Sequence, residues 1–315
     1  MEENPIKITF IPKRRPFIKN ATSRLRALYL IDHLQKLFPN KYIANLDDPE
    51  NADIIVVNQS ASQENLMKIL DQKKKRKVFL IYDVVGRQYD DARESFNQVA
   101  QQADVITVAN ETQKARIEEL KLGKPCCILN DGIDYVEQLN PSLSPFNGKV
   151  VWFGNHQLGN LESAMWAIDY ISAQPKYSVG VIGNKEIKLD NVELIEWKYE
   201  GFINNLKRYS LCFLSHDSLE KQKSNNRLLV TIANGIPTIV SNSAAYSELL
   251  RKFKLDYAIV ENENELQRAL SILSDEEQRQ KYLSEIQPYI LENYNYNAVA
   301  KKFDQILNLY YLKGI

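Results

Sequence analysis

Short apolar runs separated by longer amphipathic stretches recur along the whole chain, and this alternation constrains the fold most. Strands are predicted at 6–11, 52–58, 77–84, 104–109 and 125–130, then at 149–154, 177–183, 192–197, 211–216, 237–241 and 257–261. Several of these runs, such as ADIIVVN and KVFLIYDV, are continuously apolar, as strands covered on both faces must be. Between them lie helical patterns at 23–38, 63–72, 160–173, 225–234 and 263–273. Strand-helix-strand order repeated this way predicts parallel sheets with helices on both faces, an α/β architecture.

The stretch DGIDYVEQLNPSLSPFNGK (131–149) concentrates Pro, Ser, Asn and Gly. It separates roughly five strands from six and reads as the junction of two doubly wound domains. The expected bounds are 1–140 for the first domain, 141–148 for the linker and 149–292 for the second domain. A final helix within 293–315 is expected to return to the first domain, with Pro288 and the polar run ENYNYN interrupting the helical tail before it.

Length and composition remove several function classes. At 315 residues the chain can build two cores. Its 40 basic residues equal its 40 acidic ones, so no global field favours nucleic acid, and any anion recognition must be local. Three cysteines and three histidines form no metal-binding spacing, so no metal and no cofactor are expected. The start MEENPIKITFIPKRR lacks the apolar run of a signal peptide, and no stretch approaches a membrane span. A cytoplasmic protein is expected, with peripheral association at the inner face of the membrane left open.

Chemistry-bearing residues gather near predicted strand ends. In KQKSNNRLLVTIANGIPTIVS (221–241), Lys223, Ser224, Asn225, Asn226 and Arg227 stand where a helix begins. Ser224 or Asn225 could cap it, and the remaining N–H groups beside two cations make an anion site. A capped, solvated helix start is the alternative. Gly154-Asn155-His156 follows a buried strand, where a glycine lets backbone approach a phosphate or sugar. Trp197 ends a strand and could flank a base or fill a core. His216 ends another, as a sugar or phosphate contact or as a structural histidine. In the first half, Arg24 and Arg26 open an amphipathic helix after KRRPFIKNAT and could meet an anionic acceptor or donor phosphates. Cations sit poorly at a helix start, which favours a functional reason. Asp83 ends the strand KVFLIYDV and is the candidate general base.

In order along almost the whole chain, several segments resemble the GT-B glycosyltransferases, particularly the large GT4-like group. Asn130-Asp131-Gly132-Ile133-Asp134 resembles the element that closes their first domain, and ADVITVANETQKARIEEL (103–120) resembles the strand and helix before it. KVVWFGNHQLGN (149–160) is similar to the first strand and glycine turn of their donor domain. SNNRLLVTIANGIPTIVSNSAAYSELL (224–250) is similar to their "LLEAMACGTPVVAS…EL" signature. The sequence departs from the Glu-x7-Glu of many retaining members: Gln222 and Val230 occupy those positions.

The resemblance implies a GT-B fold, two Rossmann-like domains with the C-terminal helix crossing back. It implies transfer of a hexosyl or related group from a nucleotide-sugar donor to a glycan, lipid-linked or protein acceptor, without a metal, as in bacterial-type polysaccharide synthesis. Lys223 and Arg227 would draw off the diphosphate, and the carboxylate of Glu248 would lie near the nucleotide. Retention or inversion stays open: the leaving phosphate can take the proton if configuration is retained, and Asp83 is the candidate if it inverts. The missing carboxylates also leave open a catalytically inactive module that binds a nucleotide-sugar or a glycan.

Overall fold

The structure is a computed structural model describing residues 4–12, 17–59, 63–155, 160–183, 191–216 and 223–313. It divides into two compact units, Met1–Gly132 with Tyr294–Ile315, and Ile133–Asn293.

The first unit carries a six-stranded parallel sheet. Its strands are β1 (Ile6–Pro12), β2 (Tyr42–Leu46), β3 (Ile54–Asn58), β4 (Phe79–Asp83), β5 (Val105–Val108) and β6 (Cys126–Ile128), ordered β2-β1-β3-β4-β5-β6. Every residue of β3 is buried, as its unbroken apolar sequence requires. Strand β2 escaped the sequence reading because it is an edge strand. Its residues alternate between buried and exposed, so YIANL carries no apolar run.

Helix Tyr296–Leu307 returns to this unit and packs on helix Tyr29–Leu37, with the Tyr29 and Tyr296 rings 4.9 Å apart. Asp304 accepts from Lys41 Nζ at 2.5 Å and from Tyr42 Oη at 2.6 Å. Pro288 does not interrupt the tail as expected: helix Glu276–Asn293 runs through it. Leu283, Ile286 and Ile290 are buried on both sides of the proline, and their burial outweighs the roughly 3 kcal/mol that an interior proline costs. The break falls at Asn295, whose side chain caps the last helix by accepting from the Ala298 N–H at 3.0 Å.

In the second unit, β7 (Lys149–Gly154), β8 (Ser178–Gly183), β9 (Val192–Glu196), β10 (Leu211–Leu214), β11 (Thr238–Ser241) and β12 (Ile259–Val260) form another parallel sheet, ordered β12-β11-β10-β7-β8-β9. The chain leaves β7 toward β8 and β9, then returns to lay β10 on its other side. That reversal opens a crevice at the carboxyl ends of β7 and β10, where open α/β sheets take ligands.

The stretch read as a linker belongs to this unit. Ser144 N–H donates to Gly235 O at 3.0 Å, and Asn140 N–H donates to Asn234 Oδ1 at 2.7 Å. Lys207 Nζ reaches Ser142 O and Asn234 O. Among the described residues, no helix is long and apolar enough to cross a membrane.

Candidate functional site

The reversal point of the second sheet gathers much of what the sequence singled out. Helix Asn226–Ala233 begins there, with Ser224 Oγ accepting the Asn226 N–H at 3.3 Å. Asn225 occupies the cap position, yet its side chain makes no capping bond and so is not spent on the helix. Asn226 Nδ2 is buried without a hydrogen-bond partner among the described residues. A buried amide donor left unpaired costs about 1–3 kcal/mol, which marks a place where an acceptor is wanted. At its other end the helix closes through Gly235: Gly235 N–H donates to Ile232 O and Ile236 N–H to Thr231 O, each at 3.0 Å.

Arg227 is half-buried and ties the two strand ends together. Its Nη1 donates to Phe153 O at 3.0 Å and its Nη2 to Ser215 O at 2.6 Å. This gives Gly154 a reason the sequence did not suggest. A Cβ at that position would meet Arg227 Nη1 at 2.8 Å and the Trp152 ring at 3.2 Å. The glycine makes room for a guanidinium as well as for any ligand. Arg227 therefore adds positive potential to the crevice while holding its walls, and its removal is not stability-neutral. Arg227→Ala strips two carbonyls of their donor and is expected to cost about 2 kcal/mol, read as a fall in urea midpoint.

His216 lies against the same group. It is 7% exposed and stacks on Tyr246 with ring centroids 4.1 Å apart, while Nδ1 shares a hydrogen bond with Ser243 Oγ at 3.1 Å. Burial, with the charges of Arg227 and Lys223 behind it, holds the imidazole well below its ordinary pKa. At neutral pH His216 is uncharged, a polar contact rather than a cation.

Linkage fixes the sign of its effect on folding. The unfolded chain takes up a proton below the ordinary value and the folded chain does not. The contribution is full above that pH and lost as pH falls toward the depressed folded value. His216 is expected to keep its neutral NMR shift as pH falls through the ordinary imidazole range. Titration in the ordinary range would remove the argument.

The other donor-side candidates are less concentrated. Lys223 is half-buried and close enough to act on the His216 charge. Asn155 is exposed, its carbonyl accepting from Asn160 Nδ2 at 3.3 Å. His156 lies outside the described residues. Trp197 follows β9 half-buried, and its Nε1 donates to Tyr135 Oη at 3.0 Å. Tyr135 stacks on Phe202, which meets Phe153 edge-on, so an aromatic chain joins Trp197 to the strand end that Arg227 holds. Glu248 is exposed on helix Ala244–Lys252. Ser243 and Tyr246, the partners of His216, were missed by sequence reasoning. An apolar helix that carries a tyrosine and serines announces no ring contact.

In the first unit, Asp83 is the hub of a buried network. It is 1% exposed, and Arg26 grips it with Nε on Oδ2 at 2.9 Å and Nη2 on Oδ1. Thr107 Oγ1 donates to Oδ1 at 2.7 Å and Asn58 Nδ2 to Oδ2 at 2.8 Å. Asn58, Asp83 and Thr107 sit side by side in register across β3, β4 and β5. A carboxylate offers about four lone-pair positions, and here all four are taken. Use of Asp83 as a base would require dismantling that shell.

Neither candidate arginine keeps its guanidinium for an acceptor. Arg26 also donates from Nη1 to Leu129 O and to Asp131 Oδ1, and Arg24, buried, donates to Ile18 O. Asn58, Thr107 and Asp131 had not been singled out as site residues. Among the described residues, no group of three His, Cys, Asp or Glu side chains is placed to hold a metal ion.

No protein-family model and no curated protein matches the sequence. Solved structures do match the fold. The glycosyltransferase from Rickettsia africae ESF-5 superposes with a TM-score of 0.65 at 9% identity, over 96% of this chain and 98% of that one. T4 phage BGT in complex with its UDP-glucose substrate gives 0.62 at 12%, over 96% and 99%. A mutant of S. aureus TarM in complex with fondaparinux, alpha-GlcNAc-glycerol and UDP gives 0.63 at 10%, over 89% and 58%. The chain spans little more than half of the TarM chain and 57% of the matched chain in the GtfA/B complex. The fold is GT-B: two Rossmann-like domains, with the last helix packed on the first.

Proposed function

We propose that the protein transfers a glycosyl group from a nucleotide-activated sugar to an acceptor hydroxyl, its second unit holding the donor. The observation that carries this reading is the start of helix Asn226–Ala233 at the sheet reversal. There an unspent Asn225, an orphaned Asn226 Nδ2 and the cations Lys223 and Arg227 converge on one strand-end crevice. Backbone N–H groups, amides and fixed positive charge suit the oxygens of a diphosphate. Charge placed where the leaving group becomes more negative stabilises the transition state more than the ground state. The chain's own cations would supply that stabilisation, so no divalent metal is invoked. UDP and UDP-glucose in the fold relatives make a uridine diphosphate sugar the first donor to test.

With Asp83 enclosed, the acceptor proton is assigned to the departing phosphate, which corresponds to retention of configuration. Acceptors of the glycan, lipid-linked or protein type, bound by the first unit in bacterial-type glycan synthesis, complete the reading.

A second reading, a module that binds a nucleotide-sugar or glycan without turnover, is favoured by Gln222 and Val230 where related enzymes carry glutamates, and by the enclosed Asp83. Release of nucleoside diphosphate from a panel of nucleotide-sugars, with EDTA present, separates the two. Lys223→Ala should weaken donor binding about ten- to a hundred-fold, the worth of a charge-assisted bond. Stability should stay within about 0.5 kcal/mol. Binding without release supports the module, and an unchanged affinity in Lys223→Ala removes the site.

A further inference from the structure

The segment from Ser241 to Tyr246, joining β11 to helix Ala244–Lys252, holds His216 by three contacts, and one of them is made at the helix's expense. Ser243 stands at the cap position of that helix with extended backbone, as a cap requires, yet its side chain makes no capping bond. Elsewhere in the chain Asn110, Asn262 and Asn295 each accept the N–H three residues on. Ser243 instead turns its Oγ to His216 Nδ1 at 3.1 Å. Two residues earlier, Ser241 Oγ accepts the His216 backbone N–H at 3.2 Å. Three residues later, the Tyr246 ring stacks on the imidazole with 16° between their planes. The intervening Asn242 is occupied elsewhere, donating to Glu261 and accepting from Arg251.

Hydrogen-bond accounting decides which partner holds the proton between Ser243 and His216. Ser243 is buried, and Nδ1 is the only partner of its Oγ among the described residues. A proton on Nδ1 would leave the serine O–H buried with no acceptor, whereas donation from the serine satisfies both groups. The uncharged ring then carries its proton on Nε2, which makes no hydrogen bond among the described residues. Lys223 and Arg227 stand close enough to act on the same ring. A second donor that brings no third positive charge can join them without repulsion.

We propose that Ser243 is a positioning residue that fixes His216 as a neutral Nε2–H donor to a diphosphate oxygen of the sugar donor. The inference rests on the second unit being the donor site. A sugar hydroxyl would accept the same bond, but the two neighbouring cations favour the phosphate. Held by Ser241, Ser243 and Tyr246, the imidazole needs no reorientation when the ligand arrives.

Imidazole ¹⁵N spectra of the free protein, with titrations of inorganic pyrophosphate, UDP and UDP-glucose under EDTA, test the proposal. In wild type the His216 ring should be protonated at Nε2 and accept at Nδ1, and pyrophosphate should shift the Nε2–H resonance. Ser243→Ala should lose the Nδ1 hydrogen-bond signature and bind all three probes about ten-fold more weakly. Its circular dichroism should be unchanged, since no capping bond is lost. His216→Phe, which keeps a ring against Tyr246, should bind no better than Ser243→Ala. A wild-type proton on Nδ1, or equal affinity in wild type and either variant, would overturn the proposal. A loss confined to UDP-glucose would overturn the phosphate contact and give the bond to the sugar. If wild type binds none of the three probes, the donor reading itself falls, whereas a loss of affinity in neither variant removes only the role of Ser243 and His216. Should Ser243→Ala fail to fold, the wild-type tautomer and His216→Phe decide the matter.

Discussion

Asp83→Ala is expected to destabilise the first unit by about 3–5 kcal/mol, the cost of breaking a buried ion pair from one side. The substitution leaves the Arg26 guanidinium, which is 3% exposed, with only Leu129 O and Asp131 as partners. It also takes away the acceptor of the Thr107 hydroxyl and leaves the Asn58 amide only its 3.3 Å bond to Arg26 O. Urea unfolding with and without the substitution measures the effect. The double variant Arg26→Met with Asp83→Leu should recover a large part of the loss, because it removes both charges instead of stranding one. The competing role makes the opposite forecast. A catalytic base could be lost with stability changed by under about 1 kcal/mol and transfer abolished. That outcome would return Asp83 to the chemistry.

The second large effect is expected at Gly235. Its φ is +70°, and a Cβ there would stand 1.9 Å from Ser142 O and 2.8 Å from Pro141 O. An L-residue in that conformation costs roughly 1 kcal/mol before any collision. The collision is with backbone that Asn234, Gly235 and Lys207 all hold in place, so it cannot be relieved by turning a side chain. Gly235→Ala should therefore cost at least about 3 kcal/mol, or roughly 6–12 °C in Tm for a unit of this size. The same glycine ends the helix whose other end forms the candidate diphosphate site. Donor affinity should fall only as far as folding does, with folded protein binding normally. A soluble variant melting within a degree or two of wild type would show that residues 140–144 are not packed as described.

Much of the architecture was legible because buried parallel strands cannot hide. ADIIVVN, KVVWFG and LCFLSH are continuous apolar runs, and each contains a strand. Strand β2 and the course of the helix through Pro288 were not legible, since one depends on an edge and the other on packing from outside the segment. The linker was misplaced for a related reason. Pro, Ser and Gly mark a loop but do not say which unit binds it, and hydrogen bonds from Asn234, Gly235 and Lys207 bind it to the second.

At the site, residue type identified Lys223, Arg227 and His216 as neighbours, because strand ends and a helix start converge at a sheet reversal. Their partners were invisible. Nothing in a linear string pairs Arg227 with Phe153 O, or His216 with Tyr246, across 74 and some thirty positions. Asp83 shows the limit most plainly. A carboxylate at a strand end reads as a base, and only the register Asn58, Asp83, Thr107 reveals that its oxygens are already occupied.

The proposed function requires that the second unit bind a nucleoside diphosphate through its own cations. Isothermal titration of UDP, GDP, CDP, ADP and dTDP into wild type and Lys223→Ala, with EDTA throughout, tests it most directly. One nucleotide should bind wild type without metal and bind the variant at least about ten-fold more weakly. No binding by any of them to folded wild-type protein, or equal binding by both proteins, would contradict the claim.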